Sequence, residues 1–151
     1  MDNIQDKPLS SLRGGGDIRI AVIVDPELSL GLLANTVAVI AAGLGAIHPG
    51  IGRVQITDAQ GKSYWNSADR PIAVLQADGA ALNEIFLRSA DAPDDSAIVV
   101  FPAFARSIHS FEEYSAAAVE RTISAERIEG IGIIGPGRWV RSLTGALKLL
   151  R

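Results

Sequence analysis

The sequence predicts an α/β fold in which helices cover both faces of a sheet. Several short runs of β-branched and other apolar residues, bounded by turn residues, are typical of strands buried on both faces. Segments with helical spacing of apolar residues alternate with these strands. The chain has 151 residues, of which 48% are hydrophobic and 21% charged, so it is long enough for a substantial core and is not a disordered protein.

Four strands are expected to carry the sheet, at residues 18–24, 71–75, 97–101 and 131–134. A smaller hairpin, with its turn at residues 58–61, is expected between the first helix and the second strand. The predicted helices lie at residues 32–47, after the N-cap Asp78, after the capping-box residue Ser110, and at residues 138–143.

The two ends of the chain are expected to differ in organisation. Residues 1–16 end in three glycines and are predicted to be a flexible tail, whereas residues 17–151 are predicted to be a single domain. The N-terminus lacks the cationic start and apolar run of a secretory signal. Residues 28–52 carry no charged side chain, but their polar residues and glycines favour a helix buried between the sheet and other elements. We therefore expect a cytoplasmic protein without a membrane span.

The counts of reactive and charged residues exclude several classes of protein. The chain has no cysteine and two histidines, so no disulfide framework, thiolate site or histidine-rich metal centre is expected. The net charge of -3 argues against nucleic acid as a partner. Residues 130–135 match the G-x-G-x-x-G spelling, but isoleucines separate the glycines, which places them inside a strand beneath a packed helix. No cofactor is therefore expected.

Candidate site residues follow the strands, because open α/β sheets bind ligands beyond the carboxyl ends of their strands. Asp25 ends the first strand, and Arg106, Ser107 and His109 follow the third, where Asn35 of the first helix can join them. An arginine fork suits a carboxylate or a phosphate, and a histidine moves protons near neutral pH. We therefore expect a small anionic ligand, with Asp25 and His109 as candidate catalytic residues.

The same residues also have ordinary structural explanations, which the sequence leaves open. In this alternative Asp25 caps the first helix, Ser107 caps a local turn, and Arg106 pairs with a surface acid. Asn35 is expected to be a buried amide that ties the first helix to a loop. His48, at the end of that helix, is expected to be a partner of the helix dipole.

Two parts of the chain resemble a known family. Residues 24–35 with His48-Pro49, and the ending from Gly132 to Arg151, resemble the uncharacterised bacterial family called domain of unknown function 2000. The ending also resembles the archaeal and eukaryotic type of peptidyl-tRNA hydrolase. That resemblance implies a three-layer α/β/α fold with a four-stranded mixed sheet, order 2-1-4-3 with strand four antiparallel, often in a dimer. Thr144, in the shared ending, is added to Asn35, Arg106 and Ser107 as a candidate ligand-binding residue.

The activity of the hydrolase carries over less readily than its fold. The loop after its first strand carries lysines, whereas here that loop is acidic, with Asp25 and Glu27 and no base. The glutamine and histidine of its first helix align with Asn35 and Ala38. We therefore expect a divergent small-ligand-binding protein or enzyme of unknown substrate that forms a homodimer. The alternatives are residual peptidyl-tRNA hydrolysis and a non-catalytic dimeric interaction module.

Overall fold

The computed structural model describes residues 17–151, so the predicted tail of residues 1–16 lies outside the described residues. In chain order the helices and strands are β1 Ile18–Val24, α1 Leu30–Ile47, β2 Gln55–Thr57, β3 Ser63–Trp65, β4 Ile72–Gln76, α2 Gly79–Arg88, β5 Ala97–Pro102, α3 Phe111–Val119, β6 Ile128–Pro136, α4 Gly137–Thr144 and β7 Lys148–Leu149. The four expected main strands are β1, β4, β5 and β6, and β2 with β3 forms the expected hairpin.

The main sheet is mixed and has the order β5-β6-β1-β4-β7. Strand β1 is parallel to β4 and antiparallel to β6, which is antiparallel to β5. The four main strands thus have the expected order and directions. The expected number of strands is wrong, because β7 adds a fifth by pairing with Leu75 and Gln76 of β4. A strand of two residues is too short to show the alternation that predicts strands.

Helices cover both faces of this sheet. One face packs against α1 through Ile40 and Leu44, and the other packs against α2 and α4, for example through Leu82 and Val140. Side chains of a strand point alternately to the two faces, so the apolar run of β1 supplies both cores. The expected α/β/α layering therefore follows from strands that are apolar on both sides.

The glycines of β6 allow α1 to approach the sheet closely. A Cβ at Gly130 would lie 2.6 Å from Cγ2 of Thr36 and 2.7 Å from Cδ1 of Ile40, and a Cβ at Gly132 would clash with Ile40 and Leu44. Such distances leave no space for a side chain. The interpretation of the G-x-G-x-x-G spelling as a strand under a packed helix is confirmed.

Helix α1 differs from the expectation of burial on all sides. Only Thr36, Ile40 and Leu44 are buried, at a spacing of four residues that turns one face to the sheet. No further layer of the described chain, residues 17–151, covers the opposite face, where Ala34, Ala38, Ala42 and Ala46 are exposed. Its mean hydropathy of 2.0 and its 18 residues make α1 the one candidate membrane span in that part of the chain. Length and composition alone are weak evidence for a span, because helices packed on a core pass the same test.

Candidate functional site

Three strand ends meet at one edge of the sheet. Val24 of β1 and Phe101 of β5 both lie beside Gly130 of β6, because β6 runs antiparallel to its two neighbours. The backbone N–H of Asp25 donates to the carbonyl of Glu129 at 3.1 Å and continues the pairing of β1 with β6. The first residues of β6 therefore lie at the same edge as the residues that follow β1 and β5.

Arg106 is anchored from several sides at this edge. It lies in the short 3-10 helix Ala103–Ser107, directly after β5. Its Nε donates to Oε2 of Glu129, and its Nη2 donates to Oγ1 of Thr36 at 2.6 Å. Its guanidinium carbon lies 4.9 Å from the centre of the Phe101 ring. The side chain is 19% exposed and that of Glu129 is 8% exposed, so this is a largely desolvated ion pair.

A second ion pair adjoins the first. Oδ1 of Asp25 accepts from the backbone N–H of Glu27 at 3.0 Å, and Oδ2 accepts from Nη2 of Arg127 at 3.3 Å. Nε of Arg127 is 4.0 Å from Oε1 of Glu129. Acids and arginines thus alternate through Asp25, Arg127, Glu129 and Arg106, and their four formal charges cancel. Arg106 does pair with an acid, but the expected location of that acid on the surface is wrong, because the Glu129 side chain is buried.

A cavity of about 350 Å³ opens beside Arg106. Asn35, Arg106 and His109 contribute its polar lining, so the structure brings together three of the side chains expected to converge. The other lining residues are Leu32, Phe101, Ala105 and Ile108. No acidic side chain lines this cavity within residues 17–151. Nη1 of Arg106 makes no hydrogen bond to the described part of the chain.

Three other candidates lie outside the cavity. The carboxylate of Asp25 is occupied by Arg127 and by its own turn, and it does not cap α1, whose N-cap is Ser29. Ser107 donates to the carbonyl of Phe104 at 3.0 Å, as the alternative of a local turn requires. Thr144 is buried in α4, on the face of the sheet opposite α1, and donates to the carbonyl of Val140 at 2.7 Å.

Two expectations about α1 are wrong. Asn35 is exposed, and the polar residue that ties the helix to a loop is its buried neighbour Thr36, which donates to the carbonyl of Leu32 and accepts from Arg106.

His48 ends the helix through its backbone N–H, which donates to the carbonyl of Leu44. Burial lowers the pKa of His48, which favours the neutral ring over the cation that a dipole partner requires.

The residues that sequence reasoning missed are Thr36, Arg127 and Glu129. Thr36 shares the spacing of four residues with Ile40 and Leu44, which is a signal for the buried face of a helix. Glu129 follows Ile128 and precedes Gly130, and a strand begun at Ile128 rather than at residue 131 would have placed it in the sheet. Residues 17–151 contain no group of three or more His, Asp or Glu able to hold a metal ion.

Comparisons with known proteins give a family and a similar solved structure, both of unknown function. No curated protein matches the chain. A solved structure of a protein of unknown function from Agrobacterium tumefaciens strain C58 is similar, with a TM-score of 0.79 and 22% sequence identity. The alignment covers 88% of this chain and 97% of that one, and at this identity the likeness shows the fold alone. The family model described as "Protein of unknown function (DUF2000)" matches residues 18–151, and the chain therefore belongs to that family.

Proposed function

We propose that the chain binds a small carboxylate in the cavity lined by Asn35, Arg106 and His109. One observation carries the proposal: three side chains able to present N–H donors line a cavity that has no acidic side chain among the described residues of its wall. A carboxylate accepts hydrogen bonds at both oxygens, so it can engage two or three such donors at once. A volume of about 350 Å³ lies within the usual range for small-molecule sites.

The charges around the cavity favour a carboxylate over a phosphate. Arg106 is the one charged side chain in the lining contributed by residues 17–151, and Glu129 already compensates part of its charge. A monoanion needs less opposing charge than a phosphate dianion, and the acids Asp25 and Glu27 stand near this edge. If the ligand is also a substrate, His109 is the proton carrier at the site, because Asp25 is held by Arg127.

Titration of the purified chain with acetate, monitored by backbone amide NMR shifts, tests this proposal. For acetate, which has no apolar chain, Asn35→Ala and His109→Ala should each weaken binding about three- to tenfold, which is the typical effect of one lost hydrogen bond. Both residues are exposed, so the fold should tolerate either change. Ser107→Ala is the matched control, since this neighbour lies outside the lining and should leave the affinity unchanged. Inorganic phosphate binding more tightly than acetate, or equal affinities in all variants, would contradict the proposal.

A second candidate function, a homodimeric interaction module, is supported by the exposed face of α1. This face is free of charge along the whole helix and carries alanines every fourth residue, at positions 34, 38, 42 and 46. An uncharged face is complementary to a second copy of itself across a two-fold axis, as an isologous interface requires. Apolar side chains at both ends of the helix, Leu30 and Ile47, are also exposed. We therefore propose the second copy of this chain as the partner.

Sedimentation over a dilution series tests the dimer. The chain should pass from dimer to monomer on dilution, and Ala42→Glu should shift that transition to higher concentration by placing like charges across the axis. Ala59→Glu, in the exposed turn of the small hairpin, is the control. A monomer at every concentration would exclude this function.

The order of the four main strands also supports our proposal that the fold is of the peptidyl-tRNA hydrolase type. Residual hydrolysis draws no support from the site, because the loop after β1 is acidic at Asp25 and Glu27. Turnover of peptidyl-tRNA by the purified chain would contradict this assessment.

A further inference from the structure

The polar cavity adjoins a second, apolar one. This cavity of about 470 Å³ lies between α1, β5 and α3. Its wall includes Val39 of α1, Val99 of β5, and Phe111 and Tyr114 of α3. The two cavities lie side by side, because four residues line both of them: Phe101, Ala105, Ile108 and His109.

The chemistry of the second cavity suits a hydrocarbon. No Asp, Glu, Lys or Arg side chain lines it within the described residues. The hydroxyl of Ser110, one of its few polar groups, accepts from the backbone N–H of Glu113 and so caps α3. Phe111 is 83% exposed and Val39 is 41% exposed. A hydrocarbon that covers these two side chains would remove apolar surface from water on both partners.

The distance between the polar and apolar ends matches a short chain. Asn35 and Val39 are four residues apart on α1, which corresponds to a rise of about 6 Å. A molecule with its carboxylate at Asn35 and Arg106 therefore reaches Val39 within a few carbon–carbon bonds. His109 lines both cavities, which places the junction of head and chain beside it.

From this adjacency we infer that the ligand is an amphipathic monocarboxylate with an unbranched apolar chain of at least about five carbons, the length that spans the helical rise of about 6 Å. This inference rests on the proposed function, because the polar cavity must hold the carboxylate. It adds the substrate class: the head binds at Asn35, Arg106 and His109, and the chain binds between Val39 and Phe111.

A series of straight-chain carboxylates tests the inference on the full-length chain. Acetate, butyrate, hexanoate and octanoate are titrated under identical conditions by calorimetry or NMR. Each added methylene should tighten binding about two- to fourfold, the range expected when a methylene is partly to fully buried. Hexanamide and hexanol serve as probes that keep the chain and replace the carboxylate.

Variants at exposed positions separate the two ends of the site. Val39→Gln and Phe111→Ser should leave the affinity for acetate unchanged. Each should reduce the increase in affinity from acetate to octanoate by at least about fivefold. Asn35→Ala, which changes the polar cavity alone, should weaken the binding of every carboxylate by the same factor. Leu87→Ser is the matched control, because this leucine is exposed on α2, away from both cavities.

The outcomes distinguish the inference from the proposed function. Acetate binding that does not tighten with chain length would overturn the inference and leave the proposed function standing. Absence of binding by every carboxylate would overturn both. Binding of hexanamide or hexanol as tight as that of hexanoate would also overturn both, because the head would then not be a carboxylate. If affinity rises with chain length equally in the parent chain, in Val39→Gln and in Phe111→Ser, the inference is overturned and the proposed function stands.

Discussion

Arg106 and Glu129, 23 residues apart in the chain, form a hydrogen-bonded ion pair that joins the segment after β5 to the start of β6. The pair is largely withdrawn from water. A buried charge without its partner is costly, so each residue depends on the other for stability. Arg106 of this pair also lines the polar cavity, which connects the stability of the fold with the affinity of the site.

Replacing Glu129 should therefore have opposite effects on stability and on binding. We expect Glu129→Gln to lower the free energy of unfolding by about 1–3 kcal/mol, because the charge-assisted hydrogen bond to Arg106 weakens. It should tighten acetate binding severalfold, because the charge of Arg106 is then uncompensated. Urea denaturation and an acetate titration measure the two quantities. Glu126→Gln, which removes an exposed pair with Arg121, should cost less than about 1 kcal/mol. Equal losses in both variants, or weaker acetate binding in Glu129→Gln, would refute the account.

Close packing of α1 on β6 predicts that a single methyl group added at Gly132 lowers the stability of the fold. Gly132→Ala would push against Ile40 and Leu44 and should lower the free energy of unfolding by about 1–3 kcal/mol. Gly45→Ala is the matched control, because, apart from its chain neighbours and the nearby backbone of α1, no described atom lies within 4 Å of the place its methyl group would take, and alanine favours the helix. This control should raise the stability by up to about 1 kcal/mol. Thermal unfolding of both variants would show opposite shifts in Tm, and shifts of the same sign would contradict the packing described for α1.

Helix capping differs between α2 and α1. The side chain of Asp78 accepts from the backbone N–H of Ala81 at 2.9 Å, whereas Ser29 makes no side-chain capping bond within residues 17–151. Asp78→Ala should lower the free energy of unfolding by about 1 kcal/mol. Ser29→Ala should lower it by only a few tenths of a kcal/mol. Urea midpoints of the two variants provide the comparison. A larger loss for Ser29→Ala would show that its hydroxyl has a role other than capping.

The half-buried ring of His48 should contribute to the pH dependence of stability. Burial lowers the pKa of His48, and the nearby charge of Asp95 opposes this shift. As the pH falls below about 6.5, the unfolded chain takes up a proton that the folded chain does not. The free energy of unfolding should therefore decrease from about pH 6.5 down to the lowered pKa, with no contribution from this group above that window.

Two variants isolate the contribution of His48. His48→Gln should flatten the pH dependence below about pH 6.5, and Asp95→Asn should steepen it by removing the opposing charge. Urea denaturation at a series of closely spaced pH values measures the slopes. The same slope in His48→Gln and the parent chain would show that other groups cause the acid sensitivity.

Elements with strong local signals were predictable. The bounds of β1 are as expected, and the caps Asp78 and Ser110 accept the hydrogen bonds that their positions predict. The start of β6 was not predicted, because Glu129 and Gly130 are poor strand formers and belong to the sheet only through their neighbours. The exposed face of α1 was missed for a related reason: the apolar composition of a helix does not reveal which layer covers it.

The sequence by itself determined the alternation of strands and helices, the two apolar faces of the sheet and the segments that carry Asn35, Arg106 and His109. These features depend on local propensity and periodicity, which neighbouring residues express directly. The tertiary structure decided that Glu129 and Thr36 hold Arg106, that Asp25 is occupied by Arg127, and that an apolar cavity adjoins the polar one. Those relationships join residues far apart in the chain, so they arise only when the antiparallel β6 brings the strand ends together.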